Sequence, residues 1–582
     1  MSTERTATMP EHSGQPEQSR KPGHSRKVVI VGGVAGGMSA ATRLRRLDET
    51  CEIIVFERSW YVSFANCGLP YHVGGVIEDR QALLLQTPES LGRRFGIDVR
   101  VGHEVVSIDR AAQQVTVRNL NTDRITTESY DTLVLSPGAS PFVPDIPGKE
   151  RALTLRNIAD VDAMVAAVAR RPQTAVVIGG GFIGVELAEN LQHRGIDVTV
   201  IELADQILPP LDPEMAAYVA QELVDNGIDV LTGAQVTAIG ERTVTLDSGA
   251  EIPADLVVMS IGVRPDSHLA KDAGLEVNPR GGIVVDDSQR TSDPAIFAVG
   301  DAAEKRDALT GEAAMVPLAQ TANRHGRLVA DVIAGRTTAS QPVLGTAIVG
   351  VFDLMAASVG WNEKRLRAAG RTYRAIHAHP GSHAGYYPGA ETLHLKLLVD
   401  ADTDEILGAQ AIGRDGADKR IDVIATAMRG GLRAADLADL ELAYAPQFGS
   451  AKDPINMLGF IDDNVVTGQS ELIQWHEVEA VHRAGTPLID VRTTGEFHRG
   501  HIPGSINIPV DELRDRLDEV PAGELVITCQ VGLRGHVAER ILRQAGHRVR
   551  NLTGGYQTWS TATRPIARPA WSETPAEVEA AR

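Results

Sequence analysis

A block of apolar and polar residues recurs twice in the first half of the chain. In the first copy, "KVVIVGG" is a β-branched run entering a glycine turn. "MSAATRLRRLD" has one apolar and one basic face, and "CEIIVFE" is a second buried strand. Together they predict a βαβ unit over 27–56. The second copy, "TAVVIGGGFIGVELAENLQHRGIDVTVIEL", 174–203, has the same order. Two such units predict two bound nucleotides or one fold duplicated. Around Val343 the pattern changes. "TLHLKLLVD" and "EILGAQAIG" read as strands and "KRIDVIATAMRGG" as a helix, with no nucleotide motif, so a separate α+β domain is expected. The polar stretch "DDNVVTGQS" reads as a linker into a last small α/β unit. There "ELIQWHEVEAVHRAG" and "RGHVAERILRQAG" are predicted helices and "PLIDVR" and "ELVITC" predicted strands.

A length of 582 residues exceeds what one core serves, so several domains are expected. With 57 Lys and Arg against 76 Asp and Glu, the formal charge of −19 argues against nucleic acid as the main partner. Three cysteines, Cys51, Cys67 and Cys529, cannot build a disulfide framework, which points to a reducing compartment and a cytoplasmic location. No apolar run reaches the roughly 18 to 20 residues that span a bilayer. Residues 1–26 are polar, lack the apolar stretch of a secretory signal and read as a disordered tail, and 566–582 reads as a second tail.

The second unit carries G-x-G-x-x-G as Gly179, Gly181 and Gly184. Such glycines let the backbone turn tightly and approach a pyrophosphate at a helix N-terminus. Glu202 ends the following strand, where a carboxylate accepts from a ribose 2′-OH and repels a 2′-phosphate, predicting NADH in preference to NADPH. The competing reading is a residue that merely caps the strand. The first unit supplies Gly32, Gly33, Gly36 and Gly37, with Val34 in the middle glycine's place and Glu57, then Arg58, after the next strand. "TSDPAIFAVGDAA" adds Gly300 and Asp301 after a third strand.

With these motifs in this order, and with "TLVLSPGASP" and "VVMSIGVRPD" similar to its crossover segments, the chain from Lys27 to Phe460 resembles the pyridine nucleotide–disulfide oxidoreductase family. The resemblance implies an α/β fold class with two Rossmann-like dinucleotide-binding domains. It assigns 27–150 and 263–342 to an FAD-binding domain, 151–262 to an NAD-binding domain and 343–462 to an α+β dimerisation domain of a homodimer. FAD is then expected at Gly32, Gly33, Gly36, Gly37, Glu57, Arg58, Gly300 and Asp301.

The family usually places two cysteines, spaced C-x4-C, after the first unit. Here "SFANCGLPYHVGG" has Cys67 alone, and His72 stands in the second place. The bland reading is a buried structural thiol, and for Cys51 that reading is taken. For Cys67, Gly68 and Pro70 suit a turn into a helix start, and a helix N-terminus lowers a thiol pKa. One cysteine can cycle through a mixed disulfide with a small thiol or through a sulfenic acid. "SFANCGLPY" resembles the coenzyme A–disulfide reductase branch, which uses the mixed disulfide; an NADH oxidase and peroxidase branch uses the sulfenic acid. Ser39, Arg43 and Arg46 share one helix face, and Ser63 and Asn66 flank the cysteine. By resemblance these residues, with Asn323, Arg327 and Lys452, line a CoA site; the alternative for Arg43 and Arg46 is a solvated helix face. "YAPQFGSAKDP" also resembles this branch, which implies that Tyr444 reaches the partner subunit's flavin and thiol. "AGYYPGAE" supplies a second phenol, Tyr386 or Tyr387.

"PLIDVRTTGEFHRGHIPGSINIP", "VITCQVGLRGHVAERIL" and "NLTGGYQTW" resemble a rhodanese domain over 470–565. The resemblance makes Cys529 the sulfur carrier in a loop containing Gly532, braced by Asp490 and Arg492 and closed by Arg534. The alternative is a catalytically dead docking module. The combined expectation is an FAD- and NADH-dependent reductase of CoA disulfide, CoA persulfide or polysulfide. Its rivals are an NADH oxidase acting through a Cys67 sulfenic acid and a flavin redox sensor. No metal is expected.

Overall fold

The computed structural model describes residues 25–565. The tail at 566–582, and all of the 1–26 tail except Ser25 and Arg26, lie outside the described residues.

The first parallel sheet runs in the order Ile296–Ala298, Thr132–Leu135, Lys27–Val31, Glu52–Glu57, Asp98–Val101. Its edge strand Ile296–Ala298 thus returns from beyond the second nucleotide unit. That unit has its own parallel sheet: Asp229–Thr232, Asp197–Glu202, Thr174–Ile178, Leu256–Met259. The chain crosses between the two sheets on antiparallel strands Ala139–Pro141 and Val263–Pro265. The inner strands of both sheets are largely β-branched runs buried on two faces, which is why they read as continuous apolar stretches. A five-stranded antiparallel sheet from Ala347 to Gly413 follows, and a five-stranded parallel sheet closes the C-terminal unit.

Around these sheets run helices α1 (Ala35–Leu47), α2 (Leu69–Gly74), α3 (Phe182–Gln192), α4 (Pro213–Asp225), α5 (Ala319–Ile333), α6 (Ala417–Gly430), α7 (Pro454–Val466), α8 (Leu533–Gln544) and α9 (Gly555–Thr563). α7 corrects the sequence reading: the stretch beginning "DDNVV" is not a linker but its last turn. Asp462 is buried there against the Arg374 guanidinium, 2.9 Å away, so the helix continues until Thr467 caps it. "ELIQWHEVEAVHRAG" also differs from expectation. Leu472–Ile473 joins the last sheet beside Arg548–Leu552, and the helix begins only at Val478.

The C-terminal unit docks on the rest through polar contacts. Thr553 Oγ1 accepts the His377 backbone N–H at 2.9 Å, and Gln474 donates to the Ala375 carbonyl at 2.9 Å. His379 Nε2 lies 2.7 Å from Thr558 Oγ1 on α9, which packs against α4. Beneath this seam the fully buried Lys396 ammonium pairs with Asp212, Glu214 and Glu363. The ammonium occupies the space among those three carboxylates.

Candidate functional site

The C-terminal ends of the two parallel sheets open on one cavity of about 1690 Å³. Gly32, Gly36, Glu57, Arg58, Asn66, Cys67, Gly300 and Asp301 line one part of it, and Gly179, Gly181 and Glu202 another. Two helices begin there with bare amides. Neither α1 nor α3 carries an acidic residue in the first turn, and neither, at Val34 or at Gly181, has a side-chain cap. Uncapped N–H groups and the positive end of a helix favour a phosphate. A Cβ on Gly181 would meet no protein atom within 4 Å, leaving room for a pyrophosphate to approach. Gly33, Gly37 and Gly184 are set back from the cavity. A Cβ on Gly37 would lie 1.9 Å from the Gly32 carbonyl oxygen, and one on Gly184 as close to that of Gly179. These glycines let each helix pack on its strand. The residues present therefore fit two dinucleotides.

Glu57 and Glu202 occupy equivalent places. Glu57 accepts the Gly33 and Ser59 N–H groups, each at 2.8 Å. Glu202 accepts the Gly180 and Ala204 N–H groups at 2.7 and 2.8 Å. Each carboxylate thus holds its glycine loop in shape. A carboxylate has about four acceptor sites, so both retain lone pairs for a ribose. Arg58 and Arg156 share Asp266, at 3.2 and 3.0 Å.

Cys67 lies in a single turn, Asn66–Gly68, before the six-residue α2. Ser63 N–H donates to the Gly33 carbonyl at 2.9 Å, tying this segment to the first glycine loop. The thiol pKa is shifted upward, not downward as the helix start predicts. Desolvation within the cavity wall, then the carboxylates of Glu186 and Asp301, push the Cys67 thiol up. Glu186, on α3, accepts the Tyr71 hydroxyl at 3.0 Å and is itself raised by burial. The motifs gave no notice of Glu186 and Tyr71, because their meeting depends on packing α2 against α3. His72, in the second cysteine's place, has Nδ1 2.6 Å from the Ile77 carbonyl and closes its own turn.

The residues expected to bind CoA are only partly assembled within one chain. Ser39 donates to Asn323 at 2.5 Å, joining α1 to α5. Arg43 pairs with Asp331 at 2.8 Å. Arg46, Arg327 and Lys452 are exposed. Tyr386 and Tyr444 meet each other, Oη to Oη 3.1 Å, and neither lines the cavity of its own chain. Tyr387 instead turns its ring edge-on to His383.

In the C-terminal unit Cys529 directly follows the central strand Glu524–Thr528 and is fully buried. Its Sγ accepts the Gly532 N–H at 3.1 Å. Asp490 grips Arg492 through three bonds of 2.6 to 3.0 Å, and Arg492 lies over the Tyr556 ring. Arg534 makes a two-pronged contact with Glu496, at 2.8 and 2.6 Å.

Residues 26–326 match the family described as pyridine nucleotide-disulphide oxidoreductase. The chain belongs to this family. Residues 346–453 match the dimerisation domain of pyridine nucleotide-disulphide oxidoreductases, and 470–562 match the rhodanese-like domain. Membership implies FAD and a pyridine nucleotide as cofactors. A coenzyme A disulfide reductase of Staphylococcus aureus is 39% identical over 440 residues, 75% of this chain and 99% of that one. The solved structure of reduced CoADR-RHD from Bacillus anthracis is 50% identical with a TM-score of 0.91, covering 93% of this chain and 98% of that one. A NAD-dependent persulfide reductase from A. fulgidus is 37% identical with a TM-score of 0.87, covering 92% and 100%. Among the described residues no helix is long and apolar enough to cross a membrane.

Proposed function

We propose that this oxidoreductase reduces CoA disulfide and low-molecular-weight persulfides, with NADH as its electron donor. The observation that carries the reading is the combination in one chain of a lone cysteine in the nucleotide cavity and a second cysteine in a rhodanese loop. When bound, FAD supplies two-electron transfer between a nicotinamide and sulfur. The chain's own part is to hold Cys67 facing the cavity, as a mixed disulfide with CoA in the resting state. As a thiolate, Cys67 attacks one sulfur of the substrate S–S bond, forms a new disulfide and releases CoA thiol, or hydrosulfide from a persulfide. The similarity to the S. aureus and A. fulgidus proteins supports these substrates.

Two carboxyl groups act on Cys67 from within its own chain: Glu186, which accepts the Tyr71 hydroxyl, and Asp301. The Tyr386–Tyr444 pair supplies the proton from the second subunit of a homodimer. The preference for NADH rests on Glu202 and on the residues after it, Leu203, Ala204 and Asp205, which offer no cation to a 2′-phosphate.

The test is anaerobic NADH oxidation with CoA disulfide, CoA persulfide and polysulfide, together with mass spectrometry of the adduct on Cys67. A CoA-sized adduct and sulfur-dependent turnover are expected. Absence of turnover with all three, or brisk oxygen consumption without sulfur, overturns the reading; the latter favours the sulfenic acid oxidase.

A further inference from the structure

We infer that Lys305 is a positioning residue for the flavin: its buried ammonium locks the Gly300–Asp301 turn from behind and sets a positive charge at the back of the Asp301 carboxylate. The inference rests on family membership, which implies FAD, and not on the choice of sulfur substrate.

Strand Ile296–Ala298 delivers the chain into a single turn, Gly300–Ala302, where Gly300 takes a φ of +76° and Asp301 lines the cavity. No side chain caps this turn at Val299, and its closing backbone bond, from the Ala303 N–H to the Gly300 carbonyl, is 3.2 Å long. Lys305 supplies what the turn lacks. Its ammonium donates to the Gly300 carbonyl and, at 2.8 Å, to the Ala303 carbonyl, so it clasps both ends. The residue is only 4% exposed, yet among the described residues no carboxylate lies within ion-pair distance of it. A lysine is almost never fully buried without a partner charge, so this one calls for a reason beyond packing.

The charges around the turn point the same way. Burial pushes the Lys305 ammonium down to about 8 and Asp301 opposes that shift, so the group is charged at neutral pH. Burial raises the Asp301 carboxyl, and Lys305, then Arg156, pull it back. Arg156 is itself bound to Asp266, Ser140 and the Pro137 carbonyl, which leaves Lys305 as the cation with no other acid to serve. His325, on α5, which packs against the turn, is lowered to about 4 by burial and then by Lys305 and Arg324, so it is neutral. On the cavity side Asp301 acts on the Cys67 thiol, which it raises. Among the described residues none donates a hydrogen bond to the Asp301 carboxylate, so its acceptor sites are open to the cavity. FAD carries sugar-alcohol hydroxyls, and a hydroxyl donates more strongly to an ionised carboxylate than to a neutral carboxyl. Loss of Lys305 would loosen the turn and let Asp301 take up a proton more readily, and both changes weaken the hold on FAD.

The test dilutes the holoenzyme and reads released FAD by its fluorescence at equilibrium, across mildly acidic to neutral pH. Lys305→Met removes the charge and both bonds and is expected to raise the Kd for FAD about tenfold at neutral pH. Lys305→Gln keeps a donor without the charge and is expected to fall between Lys305→Met and the wild type. In both variants the pH below which FAD is lost should move upward, because Asp301 has lost its supporting cation. In an Asp301→Asn background Lys305→Met should cost less than about threefold more, and the pH effect should vanish. A Kd for Lys305→Met within about twofold of the wild type overturns the inference. So does an equal loss in the Asp301→Asn background with an unmoved pH limb, which marks a lysine that only supports the fold. If Lys305→Met is not recovered folded, the pH limb of Lys305→Gln decides between the same outcomes. Sulfur-dependent turnover plays no part in the readout, so failure here leaves the proposed function standing.

Discussion

The hydroxyls of Tyr386 and Tyr444 lie 3.1 Å apart, although both rings are largely exposed and neither faces the cavity of its own chain. The contact raises the Tyr386 pKa, so this phenol is kept protonated and able to donate. If the pair serves the partner's Cys67, Tyr444→Phe lowers sulfur-dependent turnover by about a hundredfold. Co-expressing Cys67→Ser subunits with Tyr444→Phe subunits should restore turnover that neither homodimer has. Steady-state assays of the separated hybrid check this.

Glu186 raises the Cys67 thiol pKa. Glu186→Gln removes that charge, so the thiolate forms at lower pH. Iodoacetamide should then alkylate Cys67 faster than in the wild type at neutral pH. The pH profile of alkylation in the holoenzyme, read by mass spectrometry, should shift toward acid. An unchanged profile would mean that desolvation alone sets the thiol.

Gly181 and Gly37 sit in equivalent loops with opposite surroundings. Gly181→Ala adds a methyl group to open cavity, so FAD content stays normal while the KM for NADH rises about tenfold, since the methyl intrudes on the pyrophosphate path. Gly37→Ala would drive a methyl group to 1.9 Å from the Gly32 carbonyl oxygen, and flavin should be lost on purification. Flavin absorbance and KM separate the two effects.

The rhodanese seam should weaken in acid. His394 is lowered to about 4 by burial, and His379 is lowered well below its ordinary value by burial and then by its histidine neighbours. Both are neutral when folded but take up protons near pH 6.5 when exposed. The stabilisation is therefore complete above about pH 6.5 and is lost as pH falls toward 4. Differential scanning calorimetry should show a falling transition over that window. His394→Gln should flatten the fall.

Lys396→Met would strand three buried carboxylates and should cost about 3–5 kcal/mol. A denaturant titration followed by intrinsic fluorescence reads the loss.

The sequence by itself determined the local parts of this protein. β-branched runs buried on both faces, glycines that only a tight turn or a close helix–strand approach requires, and acids at strand ends depend on neighbours a few residues away. Both dinucleotide units, the Gly300–Asp301 turn and the Cys529 loop are therefore legible as written. The "DDNVV" stretch misled because its polarity was local, while the Arg374 guanidinium that keeps Asp462 helical comes from another strand. The same distinction explains the site. Glu57 and Glu202 stand where the motifs put them, but that they hold their own loops through backbone N–H groups follows from the turns those loops adopt. Only the tertiary structure decided that Arg43 pairs with Asp331, that Tyr386 rather than Tyr387 meets Tyr444, and that Arg534 pairs with Glu496. It also reversed the expected shift on Cys67. Burial in the cavity wall, and then two carboxylates brought from residues 186 and 301, raise the thiol, and both act through space rather than along the chain, while a short helix contributes little dipole.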